Sequence, residues 1–253
     1  MIRIASLLIP LALLTIGCAS SAWDGTVDRW GTLRQVLRDG DVSGKVRLES
    51  VCTPFTHGIG ALAGLEGEIA IQRGFPFVSR ATSPDGSIAR SSIASGTAAG
   101  DDEAAFLVVT EVYAWRETRS KHLLDESGLK AWIEIEISGT EVSFAPVVPV
   151  RVEGVMEWKG HVLAGHCPRS KQPLRPGTSQ PIPAAGRPVN DTVLIGFFTT
   201  LPPGEISHHG TAFHLHALDL DTGVVAHVDE FTIGAGARLF LPAIEGPTSS
   251  SSQ

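Results

Sequence analysis

Three histidines crowd one short stretch, FHLHALDLDTGVVAHVDEF, from Phe213 to Phe231. In an extended strand, residues two apart share a face at about 6.6 Å along the chain. His214, His216 and Leu218 then point one way, and Phe213, Leu215 and Ala217 the other. The turn is Leu220-Asp221-Thr222-Gly223. Closed symmetrically about Asp221 and Thr222, it sets His216 directly across from His227, with Cβ atoms about 5 Å apart. Asp229 falls opposite His214 on the same face, and Ala226 and Val228 join the apolar reverse face. A bulge at Gly223 would instead shift the register by one and turn His227 away. The clean separation of polar and apolar faces favours the symmetric register. Three neutral imidazoles in this geometry suit Zn²⁺, and three protein ligands with an open fourth position is a catalytic pattern rather than a structural one. The competing reading, exposed strand histidines, explains one such residue more easily than three on one face.

The elements that must position this hairpin are mixed. Apolar residues at Trp30, Leu33, Val36 and Leu37 have helical spacing, with Gly40 placed to stop the helix. Val46–Phe55 reads as a second short helix ended near Pro54. Glu68–Gln72 alternates like a strand and GFPFVSR like its returning partner. Ala104–Trp115 is a buried strand by its β-branched and aromatic content. Lys121–Ile137 holds a helix capped by Asp125 or Ser127, and Pro146–Met156 is strand-like. Residues 169–191 carry many prolines and read as irregular. Val193–Thr200 is a strong strand, and Arg238–Leu241 the last one. Helices early and strands late fit an α+β class.

Composition bounds the function. The 253 residues suit one large domain or two small ones, and 43% hydrophobic against 19% charged residues reads as globular. A net charge of −7 without a basic stripe argues against a nucleic-acid partner. Residues 1–18 read as a signal peptide: Arg3, an apolar run from Ala5 to Ile16, then Gly17-Cys18, which resembles a bacterial lipobox. Thr15 departs from the aliphatic residue usual there, and ordinary secretion with cleavage near Ala19 or Ala22 is the alternative. Either way export is expected, with membrane attachment only through the lipid anchor. Cys52 and Cys167 remain in an oxidising compartment, paired or separately buried. The tail from 247 to 253 is disordered by composition.

FHLHAL followed by AHVDEF resembles the zinc motif of the α-acetolactate decarboxylases, with the same spacing. Other pieces line up in order. WGTLRQVLRDGDVSGKVRLES resembles the family's N-terminal helix and the stretch after it, and HGIGALAGLEGEIAI its GLGT…LDGE signature. AFLVVTEV, PVRVEGVMEW and VLIGFF resemble three of its strands. The resemblance implies an α/β (α+β) fold with a mixed-sheet N-terminal part, residues 24–145, and an antiparallel barrel-like C-terminal part, residues 146–246. It implies zinc on His214, His216 and His227, with Glu68 reaching the metal. The reaction it implies removes CO₂ from (S)-2-acetolactate and protonates the product to (R)-acetoin. A 2-hydroxy-3-keto acid can chelate zinc, which acts as a Lewis acid while a carboxylate shuttles the proton.

The pattern also breaks. The family's substrate-handling arginine falls on Gly165 in VLAGHCP, leaving His166 beside it, or Arg169, as replacements. The C-terminal glutamate of the family has only Glu245 as a counterpart. His57 is an extra candidate for the pocket, with a surface turn the plainer reading, and His208 and His209 read as a solvated loop. The reading reached is an exported zinc-dependent decarboxylase of 2-acetolactate or a related acid, with Glu68 and His166 as catalytic candidates. The alternative is a lipid-anchored binding protein that keeps the metal and has lost the chemistry. Oligomeric state is not legible.

Overall fold

The computed structural model describes residues 23–81, 88–92, 101–165, 180–182 and 192–243. The stretch expected to be a signal peptide, with Cys18, the catalytic candidate His166, Cys167, Arg169, Glu245 and the tail lie outside these. In chain order the elements are β1 (Asp28–Trp30), α1 (Leu33–Leu37), β2 (Val46–Arg47), β3 (Thr56–Leu62), β4 (Glu68–Gln72), β5 (Phe75–Ala81), β6 (Ile88–Ser92) and β7 (Glu103–Glu111). They continue with β8 (Trp115–Arg119), α2 (Glu126–Ile137), β9 (Val147–Glu153), β10 (Met156–Val162), β11 (Gln180–Ile182), β12 (Thr192–Thr199), β13 (Phe213–Asp219), β14 (Val225–Ile233) and β15 (Arg238–Pro242).

Two sheets form. The first runs β1-β7-β3-β4-β5-β6, with β2 also on β7, and the second runs β11-β10-β14-β13-β12-β9-β15-β8. Their faces pack together: Ile59, Ala70, Phe106 and Val108 of the first share a core with Ile195, Phe197, Leu218 and Val225 of the second. Leu33 and Val36 of α1 join that core. The reverse face of the second sheet, with Phe213, Leu215, Ala217 and Val228, packs with Leu129, Ile133 and Ile137 of α2. The second sheet is therefore covered on both sides, and polar residues on its inner face are committed to the space between the sheets.

The α+β class stands. The N-terminal sheet, expected to be mixed, pairs antiparallel throughout its described strands. Helix α1 is shorter than its apolar spacing suggests, because Trp30 is taken by β1, opposite Leu107. Thr32 and Gln35 then cap the helix reciprocally. Val46–Phe55 is not an α-helix: Val46 and Arg47 pair with Ala104 and Glu103 at the edge of β7, followed by a single 3₁₀ turn over Leu48–Ser50. The open edge of a strand outcompetes a short helical stretch rich in β-branched residues. Of the two candidate caps on α2, Asp125 serves, its Oδ1 accepting from Gly128 N at 2.8 Å. No described helix is long and apolar enough to cross a membrane.

Candidate metal centre

The hairpin of β13 and β14 closes in the symmetric register: His216 pairs with His227, Ala217 with Ala226 and Leu218 with Val225. His214, His216 and His227 are all buried on the inner face, and one ligand atom from each lies within 4.8 Å of the others. Backbone carbonyls fix the tautomers of two of them. His214 Nδ1 donates to Ile206 O at 2.7 Å, and His216 Nδ1 to Ile69 O at 2.8 Å. In these two rings Nε2 is then the unprotonated nitrogen, the arrangement in which outer partners orient metal-binding histidines. The Phe106 ring stacks on His214 at 5.4 Å. Burial, reinforced by the neighbouring imidazoles, holds His216 and His227 well below the ordinary histidine range. The rings are neutral, as ligation requires.

Glu68 opens β4 at the same place. Gly64 and Leu65, at φ 70° and 55°, turn the chain so that β4 enters the sheet with Glu68 between Ala61 and Ser79. The Glu68 side chain is 2% exposed, and its Oε2 lies 3.5 Å from His216 Nε2. Its other oxygen, Oε1, and His216 Nε2 are buried without a hydrogen-bond partner. Each such atom costs about 1–3 kcal/mol, and a cation among them removes that cost. Three imidazoles and a carboxylate fit zinc in number and type. Burial pushes the Glu68 carboxyl well above the usual carboxylate range; a backbone bond from Leu163 opposes this, and the Asp229 charge adds to it.

A small cavity of about 30 Å³ adjoins the centre, lined on the polar side by Glu68, His161, His208, His214 and His227, and on the apolar side by residues that include Leu33, Leu65 and Phe106. Neither lysine nor arginine is among its described lining residues. Two of these polar groups escape sequence reasoning. His161 is a lone histidine in GHV, and only its pairing with His227 across β10 and β14 brings it to the site. His208, expected in a solvated loop, packs its ring 5.9 Å from His214 and 5.3 Å from His227. The loop is drawn inward because α1 donates Leu33 N and Arg34 N to the carbonyls of Glu205 and Gly204.

Asp229 departs from the expected pairing with His214. It is the extra residue of a bulge, since Gly160 pairs with Val228 and Lys159 with Glu230. Its carboxylate instead takes His161 Nδ1 at 2.7 Å. His57 is neither a surface turn nor part of this cluster. It is buried in β3 beside Trp115 and Phe197, bonded to Gly196 O at 3.2 Å, and burial pushes it down to about 4. Burial also pushes the half-buried Cys52 thiol up to about 11.

The chain matches the Alpha-acetolactate decarboxylase family over residues 31–245. Its fold is similar to the crystal structure of alpha-acetolactate decarboxylase from Bacillus subtilis strain 168, with a TM-score of 0.63 at 16% identity over 86% of each chain. It is also similar to a Staphylococcus aureus protein of unknown function described as similar to alpha-acetolactate decarboxylase, with a TM-score of 0.62 at 17% identity over 86% of this chain and 85% of that one. No curated protein matches the chain by sequence. With a fold of two packed sheets, an inward histidine hairpin and a family match across most of its length, the chain belongs to the alpha-acetolactate decarboxylase family.

Proposed function

We propose that this protein is a zinc-dependent carboxy-lyase that removes CO₂ from 2-acetolactate or a related 2-hydroxy-3-keto acid. One observation carries the reading: three buried imidazoles converge beside a buried carboxyl, with His216 Nε2 and Glu68 Oε1 left without partners. His214, His216 and His227 would hold the metal, which when bound supplies Lewis acidity toward the substrate's oxygens. Glu68 handles the proton. When the bond to the carboxylate breaks, its electron pair stays with the substrate carbon, and that carbon must then be protonated. A carboxyl whose affinity for protons is raised by burial is suited to holding and delivering that proton. The apolar wall of Leu33, Leu65 and Phe106 keeps competing water away. The test is CO₂ and acetoin release from zinc-loaded protein given 2-acetolactate. Metal-loaded protein that yields neither contradicts the reading.

The second reading is a binding protein of the same fold that retains the metal without turnover. Its support is the absence of lysine and arginine from the described cavity lining, where an anionic substrate would meet a cation. It predicts ligand-dependent stabilisation with no product. Residues 1–18 support export, with Cys18 as a lipid anchor, and globomycin-sensitive processing or radiolabelled palmitate incorporation tests it.

A further inference from the structure

The inner face of the second sheet carries a row of histidines. His216 pairs with His227 across β13 and β14, and His227 pairs with His161 across β14 and β10. The metal-holding atoms belong to one end of this row, with His214. His161 stands at the other end. Its ring is 5.0 Å from that of His227, yet it is not among the ligand atoms that gather within 4.8 Å. It is placed to touch what the metal holds rather than the metal.

Its setting is built. The side chain is 6% exposed, and the bulge at Asp229 interrupts regular pairing where the carboxylate reaches Nδ1 at 2.7 Å. A carboxylate only accepts, so Nδ1 carries the proton and donates. Nε2 is the nitrogen left for the cavity, as an acceptor. Glu68 and the metal ligands line the same cavity.

Resting on the decarboxylase reading, we propose that His161, held by Asp229, is a specificity-determining residue that accepts a hydrogen bond from the hydroxyl of a ligand beside the metal. The site then selects 2-hydroxy ketones such as acetoin over the corresponding diones, which lack the hydroxyl donor.

The experiment uses the full mature chain loaded with Co²⁺, whose visible absorption reports the ligand sphere. Acetoin and butane-2,3-dione are titrated as probes, one with the hydroxyl and one without. The parent is expected to bind acetoin about tenfold more tightly than the dione, the worth of a hydrogen bond in a closed site. In His161→Leu, acetoin affinity falls to that of the dione, dione affinity holds, and the resting cobalt spectrum is unchanged. His161→Gln, whose amide oxygen can accept, recovers part of the preference. Asp229→Ala, a change at a residue with a 34% exposed side chain, weakens acetoin alone and guards against misfolding of the ring variants. Equal binding of both probes by the parent, an unchanged preference in His161→Leu, or an altered resting spectrum in that variant overturns the proposal, the last by making His161 a ligand. A parent that takes up no cobalt contradicts the metal reading itself, and the inference falls with it.

Discussion

Glu68 and the triad form one unit because each lowers the cost of burying the other once a cation lies among them. Replacing Glu68 with glutamine keeps its shape and removes its proton chemistry. Glu68→Gln is expected to retain metal while turnover falls about 10²–10⁴-fold, measured as CO₂ release alongside zinc content. Equal activity in the two proteins would remove Glu68 from the reaction. His57 makes a separate prediction. Its folded value of about 4 lies below the ordinary 6.5, so the unfolded chain takes up the proton first. The stability this neutral ring supports is intact above about pH 6.5 and is lost as pH falls toward 4. Thermal unfolding of zinc-saturated protein between pH 7 and 4 should show a shallower decline in His57→Gln than in the parent, and parallel curves would refute the assignment. The triad was legible because strand alternation ties side-chain type to face, and Glu68 only through the resemblance of GLEGE to the family signature. His161 was not, since a single histidine acquires meaning only from a strand pairing across more than sixty positions, and one register step would have turned it away.

At the level of elements, the hairpin's register follows from burial on both faces: a one-residue slip would place Phe213 and Leu215 among the histidines and the imidazoles under α2. The neighbouring strand has its own constraint. A Cβ on Gly196 of β12 would sit 2.0 Å from His214 O on β13. Gly196→Ala must therefore push the strands apart, and is expected to destabilise by about 1–3 kcal/mol and to weaken metal retention, read by denaturant unfolding and zinc content together. A variant as stable as the parent would mean that the sheet opens freely there. What failed at this scale failed for physical reasons. Val46–Phe55 has helical-looking apolar spacing, but β7 offers it an edge. Trp115–Arg119 extends past the expected strand because the chain crosses to the second sheet after Glu111 and pairs with β15. Its mostly exposed polar residues give no periodic signal. The bulge at Asp229 is equally silent in sequence, since the extra residue shows only when β10 is laid beside β14.

For the whole molecule, two sheets packed face to face supply a mostly apolar interior, in which Glu68, His161, His214, His216 and His227 gather at one centre. A metal held there would belong to the fold as well as to the chemistry. A ligand that binds only the folded chain stabilises it by mass action, about 2.7 kcal/mol at a hundredfold excess over the dissociation constant. Zinc should raise the melting temperature of the parent and leave that of His216→Ala nearly unmoved. The central claim rests on that occupancy, and elemental analysis of the mature chain, purified from Ala19 onward without a metal-affinity tag, tests it most directly. The prediction is about one zinc per chain, lost in both His214→Ala and His227→Ala. A folded parent that holds no metal even after zinc is offered would contradict it.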